Sequence, residues 1–178
     1  GNVVRWESSI DATFTTPVPV TNVSTSLTFN NVSTTTWYRA VVMNGSCAEA
    51  FSSSAKVTVD QASSAGTVSG ALSVCGGTAA GTLLVSGQVG DVVRWEASSD
   101  NFSPTVTTVQ TGNTPSLAYN TSATRWYRVA VRNGVCGESL GGSVKVEVAS
   151  PTVGGVLSGA STACGGTNSG ILTLTGQT

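Results

Sequence analysis

The stretch Gly1-Asn-Val-Val-Arg-Trp-Glu7 returns almost unchanged as Gly90-Asp-Val-Val-Arg-Trp-Glu96, with the two tryptophans 89 residues apart. The same spacing separates three further pairs: Trp37 and Trp126, Cys47 and Cys136, and Cys75 and Cys164. A unit that recurs at a fixed period indicates modules arranged in tandem. Two periods of 89 account for all 178 residues.

The end of the chain is in phase with its own beginning. Residues 174–178 match residues 85–89, and the next residue, Gly90, is the counterpart of Gly1. We therefore expect either two periods of a longer polymer or a subunit that continues head to tail into an identical copy. Residues 1–61 are then the later part of a module whose opening strands are missing, and residues 62–150 form a complete module. Residues 151–178 provide the opening strands that complete residues 1–61 of the next copy.

The composition excludes several classes of protein. Lys and Arg number 8, Asp and Glu number 9, and there is no histidine, so the formal net charge is −1. This balance argues against a nucleic-acid partner. No apolar run approaches the length of a membrane span. The chain is rich in Ser, Thr, Val and Gly and poor in Lys, which is typical of a β-rich protein outside the cell or at its surface.

Two segments of each period alternate between apolar and polar residues as half-buried strands do. In the first, Val4 and Trp6 are expected on the inner face, as is Trp95 one period later. In the second, Tyr38 and its counterpart Tyr127 point inward, and an Asn-Gly turn follows. With about seven short strands per module and no helical periodicity, the sequence predicts an all-β fold of tandem immunoglobulin-like β-sandwich repeats of 89 residues.

The four cysteines favour disulfides over zinc, because the chain has no Cys-x-x-Cys pair and no histidine. The favoured pairing joins Cys75 to Cys136 within the complete module, which leaves Cys47 and Cys164 to pair between neighbouring copies. In a seven-strand sandwich, however, the turns that carry Cys75 and Cys136 belong to opposite poles. The alternative therefore links Cys75 to Cys47 of the next copy.

Charged and aromatic residues are predicted to share the outward face of one sheet. In the complete module they are Arg94, Glu96, Trp126 and Arg128, and Trp37 and Arg39 are their counterparts in the first period. They are expected to form a cross-strand ladder with an Arg–Trp contact. This face is interpreted either as a solvated sheet surface or as a patch that binds sugar or a neighbouring filament.

The sequence predicts neither an enzyme nor a cofactor. The carboxylates of Asp11, Glu49, Asp100 and Glu138 are isolated in loop segments, and no histidine can activate a serine. Asp91, Asp100 and Asn101 lack the dense acidic spacing of calcium loops.

Five segments carry a resemblance to a known family. They are Val74-Cys-Gly-Gly77, Val93-Arg-Trp-Glu-Ala-Ser-Ser-Asp100, Thr124-Arg-Trp-Tyr-Arg128, Asn133-Gly-Val-Cys136 and Ser143-Val-Lys-Val-Glu-Val148. In them the chain resembles the immunoglobulin-like repeats of giant bacterial surface adhesins, including those associated with gliding motility and type IX export. The resemblance implies an extended stalk or filament outside the cell.

Two functional hypotheses follow. In the first, the chain is a structural unit of an extracellular filament or adhesin stalk, and its partners are identical copies of itself. In this case Leu172 and Leu174 are expected to pack against a strand of the Trp6 type. In the second, it is a carbohydrate- or surface-binding module in which Trp37 and Trp126 are exposed and contact a glycan.

Overall fold

A computed structural model describes residues 1–178 and shows an all-β chain with several antiparallel sheets, consistent with a β-sandwich. No helix is present that is long and apolar enough to cross a membrane. The chain divides into two compact units. Unit 1 comprises Gly1–Ala62 with Asn133–Cys136, and unit 2 comprises Ser63–Arg132 with Gly137–Thr178.

Unit 1 is a single five-stranded antiparallel sheet. Its strands are β1 (Asn2–Ser9), β2 (Val18–Val20), β3 (Thr36–Met43), β4 (Ala50–Phe51) and β5 (Ala55–Val57). Their order is β2-β1-β3-β4, and β5 also pairs with β3. The two longest strands, β1 and β3, are those in which apolar and polar residues alternate most clearly.

Unit 2 contains three sheets. Its strands are β6 (Thr67–Ser69), β7 (Ser73–Cys75), β8 (Ala79–Ser86), β9 (Asp91–Ser98), β10 (Thr107–Thr111), β11 (Ser116–Thr121), β12 (Arg125–Arg132), β13 (Ser139–Leu140), β14 (Val144–Ala149), β15 (Gly154–Ser158) and β16 (Thr173–Gln177). A six-stranded sheet has the order β10-β9-β12-β14-β7, with β13 on β12, and a three-stranded sheet has the order β11-β8-β6. β7 runs parallel to β14.

The core of unit 2 is made from apolar side chains of both sheets. Trp95 on β9 and Val129 on β12 are fully buried, and so is Leu83 on β8. The Trp95 indole nitrogen donates a hydrogen bond to the carbonyl of Thr114 at 3.0 Å, so burial leaves no polar atom of this side chain unpaired. Unit 2 therefore encloses a core of its own.

One detail of the predicted alternation is wrong. The β1–β3 register shifts between Val3 and Arg5, so Val4 is an extra residue opposite β3. The same shift occurs in β9, where Val92 is buried and Val93 is only half-buried. Because a β-bulge reverses the sides that neighbouring residues face, Val92 joins Trp95 on the inner side in place of Val93.

The predicted Asn-Gly turns are confirmed. After β3 the amide of Cys47 donates to the carbonyl of Asn44 at 3.1 Å, and after β12 the amide of Cys136 donates to that of Asn133 at 2.9 Å. Gly45 and Gly134 have φ of 56° and 51°, a left-handed conformation that glycine adopts without strain.

Strands β15 and β16 form a two-stranded antiparallel sheet of their own. Leu172 and Leu174 are 62 % and 46 % exposed. The expected packing of these residues against a Trp6-type strand is thus not formed within a single chain.

Candidate functional site

Unit 1 reproduces one sheet of unit 2. Its strands β1, β3 and β5 occupy the sequence positions of β9, β12 and β14 one period earlier. The Trp6 indole donates to the carbonyl of Ser24 at 3.0 Å, just as the Trp95 indole donates to that of Thr114 at 3.0 Å. The second sheet is different. Residues 26–31 correspond to β11 at a spacing of 90, because the two periods are slipped by one residue here, and they form no strand. β8 and β6 have no counterpart in residues 1–62.

The missing sheet leaves the inner face of unit 1 uncovered. Trp6 is only half-buried, whereas Trp95 is fully buried. Phe29 is 53 % exposed, whereas its counterpart Tyr119 on β11 is 5 % exposed. These side chains have the same character in both units, so the difference arises from what covers them. We call this uncovered inner face of β1, β3 and residues 26–31 the acceptor face.

The backbone at the end of β5 also lacks a neighbouring strand that its counterpart in unit 2 has. β14 extends over Val144–Ala149, and its last three residues pair with β7. β5 covers only Ala55–Val57, the part that pairs with β3. Because unit 1 has no β7, residues 58–60 lack the neighbour that would extend the strand.

The hairpin formed by β15 and β16 has the geometry of the covering strands. Leu157 pairs with Leu174 in the register in which Val68 pairs with Val85, one period earlier, in the β6–β8 pair. Gly159 and Gly70 have φ of 97° and 95°. A Cβ atom would collide with the carbonyl oxygen of Thr82 at Gly70 and with that of Ile171 at Gly159. The hairpin is therefore already shaped as the β6–β8 pair is, while its apolar side chains remain exposed.

The predicted outward patch contains a charge network around one buried carboxylate. Glu96 accepts from Arg128 Nε at 2.6 Å and from Arg94 Nε at 2.7 Å, and Arg94 also contacts Glu138 at 2.6 Å. Burial opposes the ionisation of Glu96, but these two hydrogen bonds outweigh it and place its pKa below the ordinary value. The hydrogen bonds to Glu138 and Glu96 raise the pKa of Arg94.

The same network occurs in unit 1. Glu7 accepts from Arg5 and Arg39 at 3.0 and 2.8 Å, and Arg5 contacts Glu49 at 2.7 Å. Its repetition shows that the ladder belongs to the module and is not an isolated arrangement.

The expected Arg–Trp contact is replaced by two other kinds of contact, Lys–Trp and Arg–Phe. Lys145 lies over Trp126 at 5.8 Å, and Lys56 lies over Trp37 at 5.2 Å. The guanidinium of Arg128 instead stacks on Phe102 at 4.0 Å. The two indoles are half-buried, and a lysine covers one face of each, which leaves less aromatic surface for a sugar than the sequence suggested.

Little in the sequence indicated how the loop after β9 is built. The Asp100 carboxylate accepts from the Ser98 hydroxyl, from the amide of Ser103 and from the amide and hydroxyl of Thr105. These hydrogen bonds lower the pKa of Asp100 from 3.8 to about 2, with that from Ser98 contributing most. This loop brings Phe102 over Arg128. The only local signal was Ser-x-Asp, which is common in loops.

The predicted Cys75–Cys136 disulfide is not formed, and all four cysteines are free thiols. β7 runs parallel to β14 and aligns Cys75 with Ala149, beyond the end at which β12 begins. Cys136 follows the other end of β12. The eight residues of β12 span roughly 24 Å, whereas a disulfide requires Cα atoms within about 7 Å. The pairing of Cys47 with Cys164 was predicted between neighbouring copies and stays a prediction.

No group of three or more Cys, Asp or Glu side chains converges as a metal site would require. The feature that distinguishes unit 1 from unit 2 is its uncovered apolar sheet face. The chain is thus an all-β protein with one apolar sheet face that lacks a covering sheet and with an exposed two-stranded hairpin.

The chain belongs to the DUF8696 family, described as a domain of unknown function, which matches residues 1–61 and 64–150. The gap between the matched segments falls at the predicted boundary between residues 1–61 and 62–150. No curated protein matches the chain.

Proposed function

We propose that this protein is a structural repeat unit of an extracellular bacterial filament or adhesin stalk. Immunoglobulin-like modules join head to tail, and the β15–β16 hairpin of one copy covers the acceptor face of the next. The observation that carries the proposal is the match between these two ends. Unit 1 lacks the strands that complete unit 2, and the hairpin holds the counterparts of β6 and of the end of β8 in the corresponding register.

The complete module specifies the contacts of the proposed joint. In unit 2, Leu83 on β8 pairs with Leu117 on β11. One period later Leu83 becomes Leu172, and the counterpart of Leu117 in unit 1 is Leu27. The proposal therefore places Leu172 of one copy beside Leu27 of its neighbour, where residues 26–31 become a strand by β-augmentation.

Burial of apolar surface would drive this joint. Leu172 and Leu174 are exposed in the chain, while their counterparts Leu83 and Val85 are buried in unit 2. Burying an aliphatic side chain of this size contributes about 1.5–3 kcal/mol, and covering Phe29 adds to it. Because the hairpin is already paired, less conformational entropy is lost than if a free strand were to dock.

The location outside the cell is proposed from the composition and from the resemblance to surface adhesins. Charged residues are few, and those on strands are largely paired with one another. Such a surface suits a stalk that must remain extended without recruiting polyanions.

The test is the assembly state of the full chain. Light scattering over a range of concentrations and negative-stain electron microscopy should show filaments with a regular axial repeat, and dilution should shorten them. A monodisperse monomer at high concentration would contradict the proposal. A discrete dimer would retain hairpin exchange but exclude a filament, because mutual exchange closes the assembly.

A second candidate function, glycan or cell-surface binding, derives from the repeated pairs Trp37–Lys56 and Trp126–Lys145. It predicts that Trp126→Ala and Trp37→Ala abolish binding to a glycan array while filaments still form. Filament formation by the unchanged chain, together with an array that shows no binding, would leave the structural function alone.

A further inference from the structure

The cysteines occupy positions that the filament joint would bring together. In unit 1, Cys136 Sγ lies 3.4 Å from the carbonyl oxygen of Gln61 and 3.7 Å from that of Asp60. Two further hydrogen bonds hold the turn of residues 133–136 in this position. Asn133 Nδ2 donates to the Gln61 carbonyl at 2.8 Å, and the Val135 amide donates to Asp60 Oδ2 at 3.2 Å. The Cys136 thiol is thus fixed beside the segment that follows β5.

Unit 2 shows which further residue belongs beside that segment. Asp60 is the counterpart of Ala149, and the parallel β7–β14 pairing aligns Ala149 with Cys75. The amide of Gly76 donates to the Ala149 carbonyl at 2.8 Å, which fixes the register. A strand that took the place of β7 in unit 1 would therefore set a cysteine beside Asp60.

The chain carries that cysteine at Cys164, one period after Cys75. Under the proposed strand complementation, on which this inference rests, Cys164 arrives beside Asp60 from the copy that donates its hairpin. The Asp60 carbonyl that Cys136 Sγ contacts is the counterpart of the Ala149 carbonyl, which accepts from the residue after Cys75. Cys136 and the incoming Cys164 would therefore lie at the same carbonyl oxygen, on one side of the segment, where a disulfide, which requires Cα atoms within about 7 Å, can form.

We propose that each junction between modules is fastened by a disulfide beside this segment. Cys164 of the donating copy pairs with Cys136 of the receiving copy. Ala149 and Ser150 are the counterparts of Asp60 and Gln61, 89 residues later, and Cys47 is the counterpart of Cys136. By the same reasoning, Cys75 of the donating copy pairs with Cys47 of the receiving copy. Every cysteine then has a partner, and each bond links consecutive modules.

The chemistry requires an external disulfide as oxidant. One cysteine thiolate attacks oxidised glutathione and releases one reduced glutathione. The second thiolate then attacks this mixed disulfide and releases another. Two thiol protons and two electrons leave the protein in total, and one sulfur–sulfur bond forms in it while one breaks in glutathione. Such bonds persist outside the cell, where thiols are not kept reduced.

The experiment oxidises the assembled full chain with a mixture of oxidised and reduced glutathione. Non-reducing electrophoresis should show a ladder of covalent multimers that dithiothreitol collapses to the monomer. Peptide mass spectrometry should recover Cys136 linked to Cys164 and Cys75 linked to Cys47. Filaments that give no ladder would overturn the fastening and leave the filament intact, whereas monomers before and after oxidation would overturn both.

Two double variants separate this pairing from the others. In Cys47→Ser/Cys164→Ser, the remaining Cys75 and Cys136 should stay as titratable thiols and no ladder should form. A Cys75–Cys136 link in this variant would overturn the proposal. In Cys47→Ser/Cys75→Ser, the ladder should persist through Cys136 and Cys164 alone. Loss of the ladder there, with filaments still visible, would also count against it.

Discussion

Leu83 is fully buried, whereas Leu172, which lies 89 residues later in the same sequence context, is 62 % exposed. Each belongs to a pair of antiparallel strands that has the same register and a glycine with positive φ, Gly70 or Gly159. The difference is that Leu83 faces a completed core and Leu172 does not. The pair locates the surface on which the proposed assembly depends.

Charge on the exposed apolar edge of the hairpin should abolish polymerisation. In Leu172→Asp/Leu174→Asp, each carboxylate would have to be buried unpaired on the acceptor face, which costs several kcal/mol. Light scattering should show a monomer with an unchanged circular dichroism spectrum.

The matched control for this variant is Ile171→Ser. Its counterpart Thr82 is exposed in unit 2, so this change should leave the filaments intact. Equal effects of the two variants would argue against the predicted orientation of the hairpin.

A synthetic peptide of residues 151–178 should compete for the acceptor face. In molar excess it should shorten the filaments and protect the amides of residues 26–31 from hydrogen exchange, because those residues gain a strand partner. The same peptide with Leu172→Asp and Leu174→Asp should do neither. Protection elsewhere, with residues 26–31 unchanged, would assign the peptide to another site.

The two equivalent tryptophans should differ in their effect on stability. Trp95→Ala removes a fully buried side chain and should lower the free energy of unfolding of unit 2 by about 3–5 kcal/mol. Trp6→Ala should cost less in the monomer, because Trp6 is only half-buried, and more once filaments form. Hydrogen exchange of the β9 and β1 amides measures each unit separately.

Removing the charge of Glu96 should destabilise unit 2. Glu96→Gln leaves Arg94 and Arg128 without their shared carboxylate in a largely buried position, at an expected cost of about 2 kcal/mol. Glu147→Gln is the control, because its ion pair with Lys145 is exposed, and it should change stability by less than about 0.5 kcal/mol. Urea denaturation of both variants tests the difference.

Stability should fall in acid over a defined range. The pKa of Asp100 is lowered from 3.8 to about 2, and that of Glu96 is also lowered. A carboxylate whose pKa is lower in the folded state stabilises the fold above its unfolded pKa and loses that contribution as the pH falls through the folded value. Unfolding should therefore become easier between about pH 4 and pH 2, and Asp100→Asn should reduce this dependence.

Much of the fold could be predicted because the period and the alternation are local properties of the chain. The long strands around Trp6, Trp95, Tyr38 and Tyr127 lie where the sequence indicated. The bulge at Val4 and Val93 was missed, because an extra residue in a ladder leaves no mark on composition. The Asp100 loop and the stacking of Phe102 on Arg128 were also missed, since both require contacts between separate segments.

The sequence by itself determined that this is an all-β chain of two 89-residue periods, because hydrophobic alternation and repeated residues are recorded in the order of the chain. Only the tertiary structure decided which apolar sheet face is covered by a second sheet and which is not. The parallel pairing of β7 with β14 separates Cys75 from Cys136 by the length of β12. The tertiary structure also reveals that residues 1–62 form one sheet without a second sheet packed against it. The sequence could not show this, because the burial of a side chain depends on what lies opposite it.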